Sequence, residues 1–175
     1  MKNLVLVGFM GSGKTTVGKW VAERLGMTFV DMDQLIEQRQ GQTVSHIFCA
    51  KGEPFFRQLE RSLTRDLAAQ QGQVIATGGG IVLNQENIDD FAKTGVVVCL
   101  WTDPRVIHER TKRSSHRPLM EGDDRPGRIK KLLREREPLY KAILNQIDTS
   151  KLGLEQVVDE VIRIYKRTPA RVADE

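Results

Sequence analysis

Gly8-Phe9-Met10-Gly11-Ser12-Gly13-Lys14-Thr15 is the stretch whose reading decides the fold. It satisfies the pattern G-x-x-x-x-G-K-[ST] and follows an apolar run, Leu4 to Gly8. Beyond it Val17, Val21, Ala22 and Leu25 fall three and four apart. The run before reads as a buried strand and the stripe after as a helix. A loop joining them must turn tightly and aim several backbone N–H groups at phosphate oxygens, and side chains at Gly8, Gly11 and Gly13 would obstruct that approach. The helix N-terminus adds its partial positive charge, Lys14 reaches the β- and γ-phosphates, and the Thr15 hydroxyl ligates magnesium. A chance match in a chain this long is on the order of one in a hundred. The stretch predicts a nucleoside triphosphate site.

Outward from this loop, short β-branched runs alternate with longer segments of helical period. Strands are expected at Thr28–Asp31, Gln73–Thr77, Val96–Trp101 and Gln146–Asp148. Helices are expected at Gln34–Arg39, Val44–Ala50, Glu53–Gln70 and Glu86–Lys93, and from Pro104 onward. Two more are expected at Arg128–Leu144, interrupted at Pro138, and at Leu154–Arg167. Such alternation implies right-handed βαβ units and a parallel sheet covered on both faces. Ligands of such sheets sit at the carboxyl ends of the strands.

The chain has 175 residues, 39% hydrophobic and 29% charged, which suits one ordinary globular domain. No apolar run approaches the roughly 20 residues of a membrane span, and the N-terminus reads as a strand rather than a signal peptide. Cys49 and Cys99 are too few for a disulfide framework or a zinc site and are expected to be reduced, buried packing residues. The net charge of +4 is scattered, with one denser stretch from Arg105 to Arg136; a solvated surface explains most of it, and the distribution favours small anions over nucleic acid or membrane.

Further signals narrow the class. A guanine-reading N-K-x-D motif is missing, which points to the small-molecule and nucleotide kinases. Asp31 and Asp33 end the second strand two apart, so on extended backbone both would project to one side. One could hold water-coordinated magnesium and the other accept a hydrogen bond from an attacking hydroxyl. The plainer alternative makes Asp33 the N-cap of the next helix. Arg57 lies a helical turn from Glu53 and Glu60, which also fits simple surface pairing. Gly78-Gly79-Gly80 closes the third strand, and three glycines are costly unless the backbone must approach something closely. His46, His108 and His116 are expected in surface or packing roles.

The order GxxGxGKT, DxD, GExxFRxxE, hhATGGG, RPL and RxxLY, from Gly8 to Tyr140, resembles that of the shikimate kinases. The resemblance implies a three-layer α/β/α fold of the P-loop type, with a central five-stranded parallel sheet and a mobile lid near 112–124. It implies a single kinase domain over 1–175 working as a monomer. The tail from Thr168 lies outside the resemblance and is expected to be flexible as a chain terminus, and the two cysteines fit a cytoplasmic protein. The implied reaction moves the γ-phosphoryl of ATP to the 3-hydroxyl of shikimate, giving shikimate 3-phosphate and ADP in aromatic amino acid biosynthesis.

By the same resemblance Asp33 would be the base. Mg2+ would be held by Thr15 and, through water, by Asp31. Gly11, Ser12, Gly13, Lys14, Thr15 and Thr16 would cradle the phosphates. Arg110 would stack on adenine, and Arg117 of the lid would reach the phosphates. Arg57 and Arg136 would grip the substrate carboxylate, and Gly78, Gly79 and Gly80 would touch its ring hydroxyls. Met120 stands where leucine is usual, and Glu121-Gly122-Asp123-Asp124 makes the lid acidic. The rival readings are another small-metabolite kinase, such as a gluconate kinase, and a catalytically silent shikimate-binding module.

Overall fold

A computed structural model describes residues 1–111 and 125–169. In chain order the elements are β1 (Asn3–Val7), α1 (Lys14–Leu25), β2 (Thr28–Asp31), α2 (Met32–Gln40), α3 (Val44–Ala68) and β3 (Gln73–Ala76). A 3₁₀ turn, Ile81–Leu83, follows. Then come α4 (Gln85–Thr94), β4 (Gly95–Trp101), α5 (Pro104–Thr111), α6 (Arg125–Lys141), β5 (Asn145–Asp148) and α7 (Leu154–Arg167).

The five strands form one sheet in the order β2-β3-β1-β4-β5, and every pair is parallel. β1, at the centre, is buried along its whole length, because both sheet faces are covered. Successive side chains serve opposite layers. Leu4 and Leu6 join Val17, Val21, Val158 and Val161 in one core, under α1 and α7. Val5 and Val7 join Phe56, Leu63, Phe91 and Leu133 in the other, under α3, α4 and α6. Each such side chain contributes about 1.5–3 kcal/mol on burial. This is the three-layer α/β/α arrangement that the alternating pattern and the resemblance imply. Among the described residues no helix is long and apolar enough to cross a membrane.

Local chemistry explains most element ends. Thr43 and Asn84 cap α3 and α4 by accepting from the N–H groups of His46 and Glu86. Gly52, at φ 81° and ψ 167°, breaks α3 into the two helices expected from the sequence, and Pro54 sits in the first turn after the break. At the amino end of α1 the N-cap is Gly13, which offers no side-chain cap.

Four local expectations are corrected. Pro138 does not interrupt α6, which runs from Arg125 to Lys141. The proline falls in the last turn, and buried Leu133 and Tyr140 on either side hold the helix against the sheet. Cys49 is exposed rather than buried; only Cys99 packs inside, where burial pushes its thiol up to about 12. The DxD segment is not extended throughout: β2 ends at Asp31, and Asp33 already lies in the first turn of α2. Thr168 is tied down by bonds to the Ile164 carbonyl from both its N–H and its hydroxyl. The lid expected near 112–124 and the tail from residue 170 lie outside the described residues.

Candidate active site

The carboxyl ends of β1, β2 and β3 open into one cavity of about 600 Å³. At one end lies the loop after β1. Gly8, Gly11 and Gly13 have φ values of 152°, 78° and 96°. At Gly13 nothing but the Val17 side chain, 3.9 Å away, would meet a Cβ, so glycine is required there by backbone conformation and not by space. Lys14 is buried, and its Nζ donates to the carbonyls of Gly8 (2.7 Å) and Phe9 (3.0 Å). The ammonium is thus held over the mouth of the loop. Thr15 and Thr16 line the cavity beside it. Ser12 does not: its side chain is buried, and its Oγ meets no hydrogen-bond partner among the described residues. Arg110 on α5 reaches back to donate to the Gly11 carbonyl at 3.4 Å.

Beside the loop, the Thr15 hydroxyl donates to Asp31 Oδ2 at 2.8 Å. Asp31 Oδ1 accepts from the Gln34 N–H, so Asp31, and not Asp33, caps α2. Asp33 faces the cavity from the first turn of that helix. Despite the change of backbone between them, both carboxylates line the same wall. Among the described residues there is no cluster of three or more His, Cys, Asp or Glu side chains suited to a metal. A magnesium ion carried in on nucleotide phosphates needs none, because it keeps most of its waters and takes one or two protein oxygens. The adjacent Thr15 hydroxyl and Asp31 carboxylate are oxygen donors of that kind.

Arg57 from α3 and Arg136 from α6 line the same cavity. Arg57 Nη2 and Nε donate to Glu53 at 2.9 and 3.2 Å, and Nη1 donates to both oxygens of Glu60 at 3.0 and 3.1 Å. This is more than surface pairing, because Glu60 is only 2% exposed. Burial pushes its carboxyl up to about 7, against the pull of Arg57, and Asp33 adds to the rise while Arg136 opposes it. Arg136 is itself buried, its guanidinium 6.0 Å from the centre of the Phe9 ring. Phe48 and Phe56, with ring centres 4.8 Å apart, supply an apolar wall.

The triple glycine lines the cavity as well, and each member makes room for a different neighbour. A Cβ on Gly78 would stand 2.9 Å from Asp33 Oδ1, one on Gly79 3.2 Å from the Met10 amide, and one on Gly80 2.5 Å from Arg57 Cζ. At each position a side chain would force its neighbour to move: the Asp33 carboxylate at Gly78, the Met10 backbone at Gly79 and the Arg57 guanidinium at Gly80. Every predicted site residue among those described therefore lines this cavity except Ser12. Arg117 lies outside the described residues.

Two polar residues of the site region were not singled out by sequence reasoning. Glu60 was read as a surface partner of Arg57. Its signal was available, since it stands on the stripe Phe56, Leu63, Leu67 that faces the core. Tyr140, the last residue of RxxLY, donates its hydroxyl to the Gly79 carbonyl at 2.6 Å. No local pattern announces that bond.

The family model described as shikimate kinase matches residues 10–166. A shikimate kinase of Thermodesulfovibrio yellowstonii is 46% identical over 95% of this chain and 96% of its own length. Among solved structures, a shikimate kinase from Acinetobacter baumannii in complex with shikimate superposes with a TM-score of 0.88. It is 36% identical and covers 94% of this chain and 92% of its own. A gluconokinase from Sinorhizobium meliloti, at 19% identity and a TM-score of 0.61 over 95% of this chain and 92% of its own, shares the fold alone. Matched along nearly its whole length in sequence and in structure, the chain belongs to the shikimate kinase family.

Proposed function

We propose that this enzyme moves the γ-phosphoryl of ATP to the 3-hydroxyl of shikimate, with the nucleotide at the β1 end of the cavity and shikimate at the other. The observation that carries this is that Arg57 and Arg136, from two different helices, line the same cavity as the phosphate loop. A planar guanidinium suits a carboxylate, and the aspartate and bare glycine backbone between the two ends suit hydroxyls.

In this reading Lys14 exchanges its loop carbonyls for the β- and γ-phosphate oxygens. The main-chain N–H groups of Gly11 to Thr16 and the uncapped end of α1 neutralise the remaining charge. Asp33 accepts the hydrogen bond of the attacking hydroxyl and takes its proton as the new O–P bond forms and the bond from the γ-phosphorus to the β,γ-bridging oxygen breaks, releasing ADP. The transition state is loose, so alignment and positive charge count for more than base strength. Thr15 would ligate Mg2+ directly and Asp31 through water; the ion, when bound, draws charge from the phosphate oxygens. Arg110 would lie against the adenine. Arg117 would close over the phosphates from a lid at 112–124, an assignment supported by the Arg117-Pro118-Leu119 motif alone. The chain would work as one domain and as a monomer, in the cytoplasm, where free Cys49 and Cys99 stay reduced.

The test is an ADP-release assay with shikimate, quinate, gluconate and nucleoside monophosphates offered in parallel. Release with shikimate well above the rest is expected. Equal or greater release with gluconate would transfer the enzyme to another substrate class. ATP and shikimate binding without release would leave only a binding module.

A further inference from the structure

The RxxLY motif brings two residues to the site, and the reaction as proposed uses only Arg136. Tyr140 follows one turn later on α6 and so shares its face. It is 1% exposed, with its ring in the core beneath the sheet. Burial raises its pKa against the pull of the nearby Arg136 charge, so the hydroxyl keeps its proton and is a donor.

The acceptor is informative. The carbonyls of Gly78 and Gly80 are taken locally, by the N–H groups of Ile81 and Leu83 in the 3₁₀ turn. The carbonyl of Gly79 is bonded instead from another layer of the fold, by Tyr140 at 2.6 Å. Glycines offer no side chain by which a loop can be anchored, so a bond to the backbone itself is the available tether. This one joins the glycine run after β3 to the helix that carries Arg136.

We propose that Tyr140 is a positioning residue for shikimate, its hydroxyl holding the Gly78–Gly80 backbone and Arg136 at the spacing that grips the substrate from two sides. This rests on the assignment of those two walls to shikimate made above.

Tyr140→Phe removes one oxygen and keeps the buried ring. With ATP saturating, the KM for shikimate should rise roughly tenfold, the effect of losing one well-made hydrogen bond. The kcat and the KM for ATP should stay within about twofold, as expected when only ground-state and transition-state binding are lost together. A shikimate KM within twofold of the wild type overturns the proposal. So does a KM for ATP that rises in step, since the hydroxyl would then support the fold at large. Arg136→Ala is the control: if it leaves the shikimate KM unchanged, the wall assignment fails and the proposal with it. If it raises that KM while Tyr140→Phe does not, the positioning role alone fails. In the Arg136→Ala background, Tyr140→Phe should add less than twofold, because one wall is already gone. A full additional tenfold would show an independent role and overturn the positioning.

Discussion

A Cβ on Gly80 would stand 2.5 Å from Cζ of Arg57, so the last glycine of the run holds open the space that the guanidinium occupies. Gly80 has φ −91° and ψ 4°, which alanine can adopt. The obstacle to a side chain is therefore Arg57, the end of a flexible residue, and not the backbone. Gly80→Ala should fold with a melting temperature within a few degrees of the wild type, the displaced guanidinium and the stiffer unfolded chain roughly offsetting. The KM for shikimate should rise by about tenfold or more, with the KM for ATP unchanged. A normal shikimate KM would show that Arg57 need not occupy that space to bind substrate.

Lys14→Met keeps the length of the side chain and deletes the ammonium. Two loop carbonyls lose their donor, a cost of about 1–3 kcal/mol in stability. Turnover should fall by orders of magnitude in a sample that still melts cooperatively. Near-normal turnover in the purified variant would remove the phosphate cradle from the mechanism.

Asp33→Asn tests the base. Because Asp31 caps α2, the substitution leaves the N-cap hydrogen bond of that helix intact. Shikimate affinity should drop modestly, while the single-turnover rate falls by roughly 10²–10⁴, nearer the lower figure for a loose transition state. Titration calorimetry and rapid-quench kinetics on one sample would separate the two. An unchanged rate would exclude Asp33 as the proton acceptor.

Glu60 makes stability depend on pH in a defined direction. Folded, its carboxyl holds a proton up to about pH 7, whereas the unfolded carboxyl releases it near 4.5. Between those values the native state binds more protons than the unfolded state. Stability is therefore fully present below 4.5 and is lost as pH rises through 7. The loss for a group this buried is on the order of 3 kcal/mol. Urea denaturation at pH 5 and pH 8 should show wild type weakening relative to Glu60→Gln by an amount of that order. An identical pH dependence in the two proteins would mean that Glu60 is fully ionised throughout, neutralised by Arg57.

What was legible in the sequence is what depends on neighbours along the chain. Strand and helix order, the break at Gly52 and the phosphate loop follow from residue period, positive-φ glycines and the polarity of a helix start, all set within a few residues. The DxD pair was half legible: both carboxylates line the cavity, but the strand ends two positions before Asp33, and the cap belongs to Asp31. Tertiary structure decided the rest. Arg57 and Arg136 line one cavity because α3 and α6 pack on the same face of the sheet. Glu60 is buried because its stripe of α3 turns inward, and Cys49 is exposed because its own position turns outward. Tyr140 finds Gly79 from another layer. Burial and contact between distant segments arise from packing, and the free energy of packing is shared by residues that no local window of the chain contains.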